Sequence, residues 1–336
     1  MCQAGSVTTV DPTDAPSAPA SDTLAILGLG LIGGSLMRAA SAAGWRVYGY
    51  NRSAETVSSA LDEGFDAGAD LADVVERAAA DDALIVLATP VTALDEVIPV
   101  VHGQAPDCAV TDVISVKQQV ARAMARHAPG QRYVGGHPMA GTAQSGWAAG
   151  QTDLFTRAVW AIATDDSADP ATWARVARLA LDVGSDVIPV ASDEHDRAVA
   201  AISHLPHLTA AVTAAVGAGD GDLALHLAAG SFRDGTRVAA TAPELQRAML
   251  EANRMALLNS LSETIDRLVA ARDELRDRGS VETLINDGHR ARLRWEELSA
   301  AQPRPISGVQ IGSPGWQAQL RAQALDGRVW TGQQTA

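Results

Sequence analysis

The stretch from Leu24 to Ala43 constrains this chain more than any other. A short apolar run, Leu24-Ala25-Ile26-Leu27, leads at once into Gly28-Leu29-Gly30-Leu31-Ile32-Gly33-Gly34-Ser35 and then into an amphipathic segment. The spacing predicts a buried strand, a tight turn and a helix N-terminus, which is what a pyrophosphate needs. Gly28 permits the turn, Gly30 lets the backbone approach the phosphates, and Gly33 lets helix and strand pack closely. Gly28, Leu29, Gly30, Leu31, Ile32 and Gly33 are therefore candidate cofactor-binding residues.

The next strand indicates which dinucleotide. Trp45-Arg46-Val47-Tyr48-Gly49-Tyr50 reads as the second parallel strand and ends at Asn51-Arg52-Ser53, about twenty residues beyond the loop. A cofactor with a free ribose diol usually meets an Asp or Glu there. Here the acid is missing. Arg52 and Ser53 offer a guanidinium fork and a hydroxyl, both suited to a phosphate dianion, with Asn51 beside them. NADP is expected in preference to NAD, with NAD still possible.

Composition narrows the class. Hydrophobic residues make up 47% and charged residues 20% of the 336, as in globular proteins with room for two cores. A net charge of -14 argues against nucleic acid or acidic membrane surfaces as partners. Local basic groups must then draw in an anionic cofactor. Cys2 and Cys108 give no disulfide framework, so a cytoplasmic location is expected. The sequence has no run of eighteen apolar residues, and no membrane span is expected. Residues 1–21 are rich in Ser, Thr, Pro, Ala and Asp and read as a disordered tail. Lys117 is the sole lysine among 26 basic residues, which suggests a need for an ammonium at that position.

From 22 to 190 the chain alternates strand-like runs with amphipathic helices. Ala83–Leu87, Ala109–Val113 and Ala158–Ile162 are further strands. The expected fold is α/β, a Rossmann-type doubly wound parallel sheet. Ligands of such sheets bind beyond the carboxyl ends of the strands, which keeps Thr89, Asp112 and Ser115 in view. From 191 to 300 the periodicity becomes helical, at Ala198, Ala201, Ile202, Leu205, Leu208, Val212 and Ala215 and again from Leu245 to Leu268. Thr241 and Glu244 stand at capping-box spacing around Pro243. The apolar residues exceed what one small domain buries, so this part reads as an all-helical dimerisation domain. Residues 301–336, rich in Pro and Gly, read as a loop or loosely docked extension.

Three clusters carry chemistry. Gly136-His137-Pro138-Met139-Ala140-Gly141-Thr142 places a histidine in a Gly-flanked loop at a sheet edge, suited to a general base. In Ser203-His204-Leu205-Pro206-His207 the proline cannot donate to the Ile202 carbonyl, so a helix should kink there and aim both histidines along nearly one face. No third ligand stands at zinc spacing, and no metal is expected. Ser231-Phe232-Arg233-Asp234-Gly235-Thr236-Arg237 sets two arginines four apart around an acid.

Together with Asp112-Val113-Ile114-Ser115-Val116-Lys117 and His195-Asp196, these motifs stand in the order found in the prephenate/arogenate dehydrogenase family of tyrosine biosynthesis, which the chain resembles from residue 24 to about 300. The resemblance implies oxidative decarboxylation of a cyclohexadiene: hydride leaves ring C4, the C4 hydroxyl loses a proton, and CO2 departs as the ring becomes aromatic. By resemblance His137 is the base and Ser115 orients the same hydroxyl. His207 and Arg237 hold the substrate's carboxylates and side chain, with Ser203 and His204 beside them. Lys117, two residues after Ser115 in an extended segment, would share its face and tune that hydroxyl. Some relatives carry an acid six residues after the histidine, tied to an Asp–Arg gate. Here that position is Ala143, although Asp196 and Arg237 are present. A β-hydroxyacid dehydrogenase also pairs these domain types, but its catalytic lysine belongs in the interdomain helix. A non-catalytic NADP-sensing module would need the glycine loop but not His137 and His207.

Overall fold

The computed structural model describes residues 22–142, 144–219 and 221–332. Ala143 and the first 21 residues, on which two of the expectations above fall, lie outside them. Strands β1 (Thr23–Leu27), β2 (Arg46–Tyr50), β3 (Asp66–Gly68), β4 (Leu84–Leu87), β5 (Val110–Asp112) and β6 (Tyr133–Val134) form one sheet in the order β3-β2-β1-β4-β5-β6. All its pairings are parallel. Helices α1 (Leu31–Ala42), α2 (Ala54–Asp62), α3 (Leu71–Ala80), α4 (Leu94–Gln104) and α5 (Gln118–His127) make the crossovers. Because β1 and β4 are neighbours while β2 and β5 lie to either side, the strand order reverses between them and leaves a crevice at their carboxyl ends. Leu27 pairs with both Tyr50 and Leu87, and Leu87 with Asp112, so those four ends finish level.

The later strand does not extend this sheet, as the sequence reading had it. Strands β7 (Gly136–Pro138), β8 (Val159–Ala163) and β9 (Asp186–Val190) form a separate three-stranded sheet, with helix α6 (Pro170–Asp182) joining β8 to β9. β7 runs antiparallel to β8, pairing His137 with Ala161. His137 is thus an edge-strand residue, 9% exposed, and not part of an open loop. A Cβ on Gly136 would lie 2.7 Å from the Asp112 carbonyl oxygen, so only glycine lets β7 pass this close to the end of β5.

The second half is helical: α7 (Ser192–Val199), α8 (Leu205–Ala218), α9 (Asp222–His226), α10 (Gly230–Thr236), α11 (Pro243–Ala252), α12 (Arg254–Arg278) and α13 (Glu282–Ala300). Between α7 and α8 the chain makes a π-helical turn, Ala200–His204. Pro206, with no N–H for the Ile202 carbonyl, follows directly, and the π-turn is how the helix absorbs it without breaking. The continuous run Ser192–Ala218 is long and apolar enough to cross a membrane by length and composition, with mean hydropathy 1.4 over its best window. The sequence reading did not anticipate this, because many small alanines raise the mean without forming an apolar block. The predicted capping box does not form: Ala242 is the N-cap of α11, without a side-chain bond, although Pro243 occupies the first turn as expected.

The C-terminal extension is also more ordered than expected. After β10 (Arg304–Pro305), helix α14 (Trp316–Leu325) and β11 (Arg328–Val329) pack on the outer sheet. Trp316 and Trp330 set their rings edge-on to the fully buried Trp173 of α6, with centroids 5.6 and 5.5 Å away.

Candidate active site

A cavity of about 600 Å³ lies across the carboxyl ends of β1, β2, β4 and β5. At one end it meets Gly28, Gly30, Leu31 and Ile32, and beside them Asn51, Arg52 and Thr89. Gly28 has φ +113°, and a Cβ there would stand 2.6 Å from the Ala88 carbonyl oxygen. On Gly33 it would fall 1.9 Å from the Gly28 carbonyl oxygen, while on Gly30 it would meet nothing within 4 Å. The turn is therefore packed shut behind and open in front. The N-cap of α1, Gly30, has no side-chain cap, so the first N–H groups of the helix are free for an anion. Thr89 carries a buried hydroxyl that bonds to none of the described residues. Together these features fit a dinucleotide: an open glycine cradle, a bare helix start and an orphan hydroxyl at the strand end.

The other end of the cavity is reactive. Ser115, from the β5–α5 connection, and His137, from β7, both line it, and α11 closes it with Leu245, Ala248, Met249 and Ala252. The segment after β7 returns along the wall at Ala140, Thr142 and Gln144–Gly146. Trp147 pins it: its indole donates to Glu63 Oε1 at 2.8 Å, and the Arg38 guanidinium sits 3.8 Å over its ring.

Behind His137 runs a buried hydrogen-bonded chain. His137 Nδ1 lies 2.9 Å from His195 Nε2, and His195 Nδ1 lies 2.9 Å from Asp196 Oδ1. Asp196 also accepts the backbone N–H groups of Lys117 at 2.8 Å and Gln118 at 2.9 Å, so a carboxylate from α7 caps the start of α5. Burial acts against the Asp196 charge, yet these bonds outweigh it and hold the carboxyl below its ordinary range. Burial, helped by the neighbouring His195, Lys117 and His204, keeps His137 well below the usual histidine range. Its ring is therefore neutral at neutral pH, the state a general base requires.

A second buried cluster fixes the backbone of the same histidine. The Lys117 ammonium, 1% exposed, pairs with Asp112 Oδ1 and donates to the Gly136 carbonyl at 2.5 Å. Tyr133 donates its hydroxyl to Asp112 Oδ2 at 2.6 Å. Burial lowers the Lys117 pKa, while the Asp112 carboxylate opposes that fall.

The expected residues divide by position. Gly28, Gly30, Leu31, Ile32, Asn51, Arg52, Thr89, Ser115 and His137 share the cavity wall, whereas Leu29 and Gly33 are packed beneath it. Ser53 is a helix cap, its hydroxyl accepting the Thr56 N–H at 3.3 Å, and is not on the wall. Lys117 corrects the reading above. It is the N-cap of α5 in helical conformation, not part of an extended segment, and its ammonium is spent on Asp112 and Gly136. His204 and His207 do not point one way. His204 is fully buried, with Asn253 Nδ2 3.2 Å from its Nδ1, so it offers a ligand no surface. His207 is half-buried and held through Nδ1 by Gln246 at 2.8 Å. Ser203, His207 and the exposed Arg237 lie off the cavity wall of the single chain, with Arg237 near enough to His207 to lower its pKa beyond the effect of burial. Asp196, whose oxygens are taken by α5 and His195, is not available to an Asp–Arg gate. Sequence reasoning named His195-Asp196 as a family motif without its role behind His137, and missed Tyr133 and Asn253. The adjacency of His195 and Asp196 was visible, but their partner lies 58 residues earlier.

Fold and cavity together define a nicotinamide-dinucleotide-dependent oxidoreductase with a helical second half. The family model for the prephenate dehydrogenase nucleotide-binding domain matches residues 35–189, and that for the prephenate dehydrogenase dimerization domain matches residues 191–286. The chain belongs to the prephenate dehydrogenase family, whose members carry out the oxidative decarboxylation that leads to tyrosine. Bacillus subtilis prephenate dehydrogenase is 32% identical over 254 residues, covering 73% of this chain and 67% of the relative. A Corynebacterium glutamicum structure, solved as a candidate prephenate dehydrogenase, is 45% identical with TM-score 0.86, covering 92% of this chain and 98% of the other. Prephenate dehydrogenase from A. aeolicus, solved with hydroxyphenyl propionate and NAD+, is 26% identical with TM-score 0.75, covering 84% and 100% respectively.

Proposed function

We propose that this chain is a homodimeric, NADP-preferring oxidative decarboxylase of prephenate or arogenate, with His137 as the base. One observation carries the reading. A neutral imidazole with one nitrogen held from behind stands on the wall of a cavity whose far end is a dinucleotide cradle. A bound nicotinamide dinucleotide supplies the hydride acceptor. His137 Nε2, bonded to none of the described residues, takes the C4 hydroxyl proton as hydride leaves C4. Ser115, on the same wall, orients that hydroxyl. When the ring carboxylate departs as CO2, its bonding electrons finish on the C4 oxygen, which takes the proton back. Aromatisation provides the driving force, and the chain contributes positioning and charge placement.

The NADP preference rests on Arg52, the one cationic side chain on the described cavity wall at the end of β2, and on the missing acid there. His207 and Arg237 are assigned the substrate's carboxylate and side chain by family resemblance. Gln246 donates to His207 Nδ1, so the ring proton sits on Nε2 and can be donated to an acceptor. The test is reduction of NADP and of NAD with each of the two substrates. The reading expects turnover with at least one of them, faster with NADP, and an Arg52→Ala variant that loses roughly 10–100-fold of the NADP preference, the worth of a charge-assisted hydrogen bond. NAD preferred by the wild type, unchanged in Arg52→Ala, contradicts the cofactor assignment.

A further inference from the structure

We infer that His195, backed by Asp196, is a positioning residue that sets the tautomer of His137 and shares the proton His137 takes during turnover. The inference rests on the reaction proposed above and adds a group that never touches substrate.

The argument starts from Asp196. Two backbone N–H groups of α5 and the His195 ring converge on its carboxylate, which is 3% exposed and ionised. An ionised carboxylate only accepts hydrogen bonds, so His195 Nδ1 must carry a hydrogen. In the neutral ring His195 Nε2 is then an acceptor. The contact at 2.9 Å across to His137 therefore requires the hydrogen on His137 Nδ1. Each step follows from the one before, and the result is a His137 ring with its lone pair on Nε2. Asn253 fixes the same element from the other side, donating to the Asp196 carbonyl at 2.8 Å.

The chain also gives the proton somewhere to go. His137 is enclosed and faces His195, His204 and the Lys117 ammonium, a setting in which a lone imidazolium is disfavoured. As Nε2 of His137 gains the substrate's proton, Nδ1–H can pass its proton to His195 Nε2. The positive charge then lies beside the Asp196 carboxylate. When the C4 oxygen recovers its proton, the same transfers run backwards, so the relay begins and ends with equal protons. The groups facing this path are His137, His195, Asp196, His204, Lys117 with Asp112, and the amide of Asn253.

The test uses the full-length protein. In the wild type, nitrogen-15 NMR of the histidine rings near neutral pH should show His137 protonated on Nδ1 and bare on Nε2; the opposite tautomer overturns the inference. His195→Phe and the conservative His195→Asn should keep cofactor binding and leave KM within about threefold, while kcat drops about 100-fold or more. The acid limb of the kcat profile should shift in His195→Phe, because the proton can no longer rest beside Asp196 and the neighbour that helps hold the His137 pKa down is gone. A purely structural role moves KM or stability without moving that limb. Both variants within threefold of wild-type kcat, with the limb unmoved, overturn the inference even if His137→Asn is inactive and the reaction itself stands. If no substrate is turned over with either cofactor, the proposed reaction fails, and the NMR measurement still decides the tautomer.

Discussion

A single buried lysine shows how much one residue contributes here. The Lys117 ammonium bonds the Asp112 carboxylate and the carbonyl just before His137, while its own N–H feeds Asp196. Its side chain thus steadies the base from the backbone side as the histidine chain steadies it from the ring side. The lone lysine in an arginine-rich sequence was legible as a residue with a specific task. The task itself was not, because an ammonium's partners are set by how β5, β7 and α5 converge. Removing the charge leaves the enclosed Asp112 without its cation. Lys117→Met should therefore cost about 3–5 kcal/mol of stability, read as a lowered denaturant midpoint. An unchanged midpoint contradicts a structural ion pair.

At the scale of elements, the strands of the first sheet and the glycine loop were readable because apolar runs and turn chemistry are local signals. The second sheet was not, since nothing in Ala158–Ile162 says which strand it pairs with. The placement of His137 depended on that pairing, as did the docking of α14, whose tryptophans find their partner on α6. The sequence pointed to a kink at Pro206; what stands there is a π-turn, Ala200–His204, and it decides where the histidines face. That turn seals His204 in the interior beside Asn253, Asp196, His195 and His207, and burial draws its pKa from 6.5 to about 4. Unfolded, the ring takes a proton near pH 6.5; folded, it stays neutral down to about pH 4. Below pH 6.5 the unfolded state binds more protons, so stability present above that pH is lost as it falls toward 4, by on the order of 3 kcal/mol. Denaturation midpoints between pH 7 and 4 should record this loss, and His204→Gln should flatten it. A wild type equally stable at both ends contradicts the account.

The whole molecule presents unbalanced surfaces. The first half buries its apolar residues in two clusters, one on each face of the main sheet, whereas the helical half leaves many uncovered. Ile202, Val216, Leu268, Ile285 and Trp295 are all more than half exposed, spread over several helices. Apolar exposure on this scale marks a surface meant for another chain, and a second copy is the occupant proposed here. Sedimentation should give about 70 kDa, twice the 34.8 kDa of one chain. A stable monomer contradicts the proposed dimer. The surplus of apolar residues was legible in the sequence; which faces stay open was not, because that depends on how the helices pack.

All scales meet at the imidazole on the cavity wall, and the most direct measurement is the steady-state rate of His137→Asn with the preferred substrate and cofactor. The account predicts a kcat at least about 1,000-fold below wild type, with KM and NADP affinity changed by no more than a few fold. A variant that turns over within tenfold of wild type would show that the proton leaves by another route.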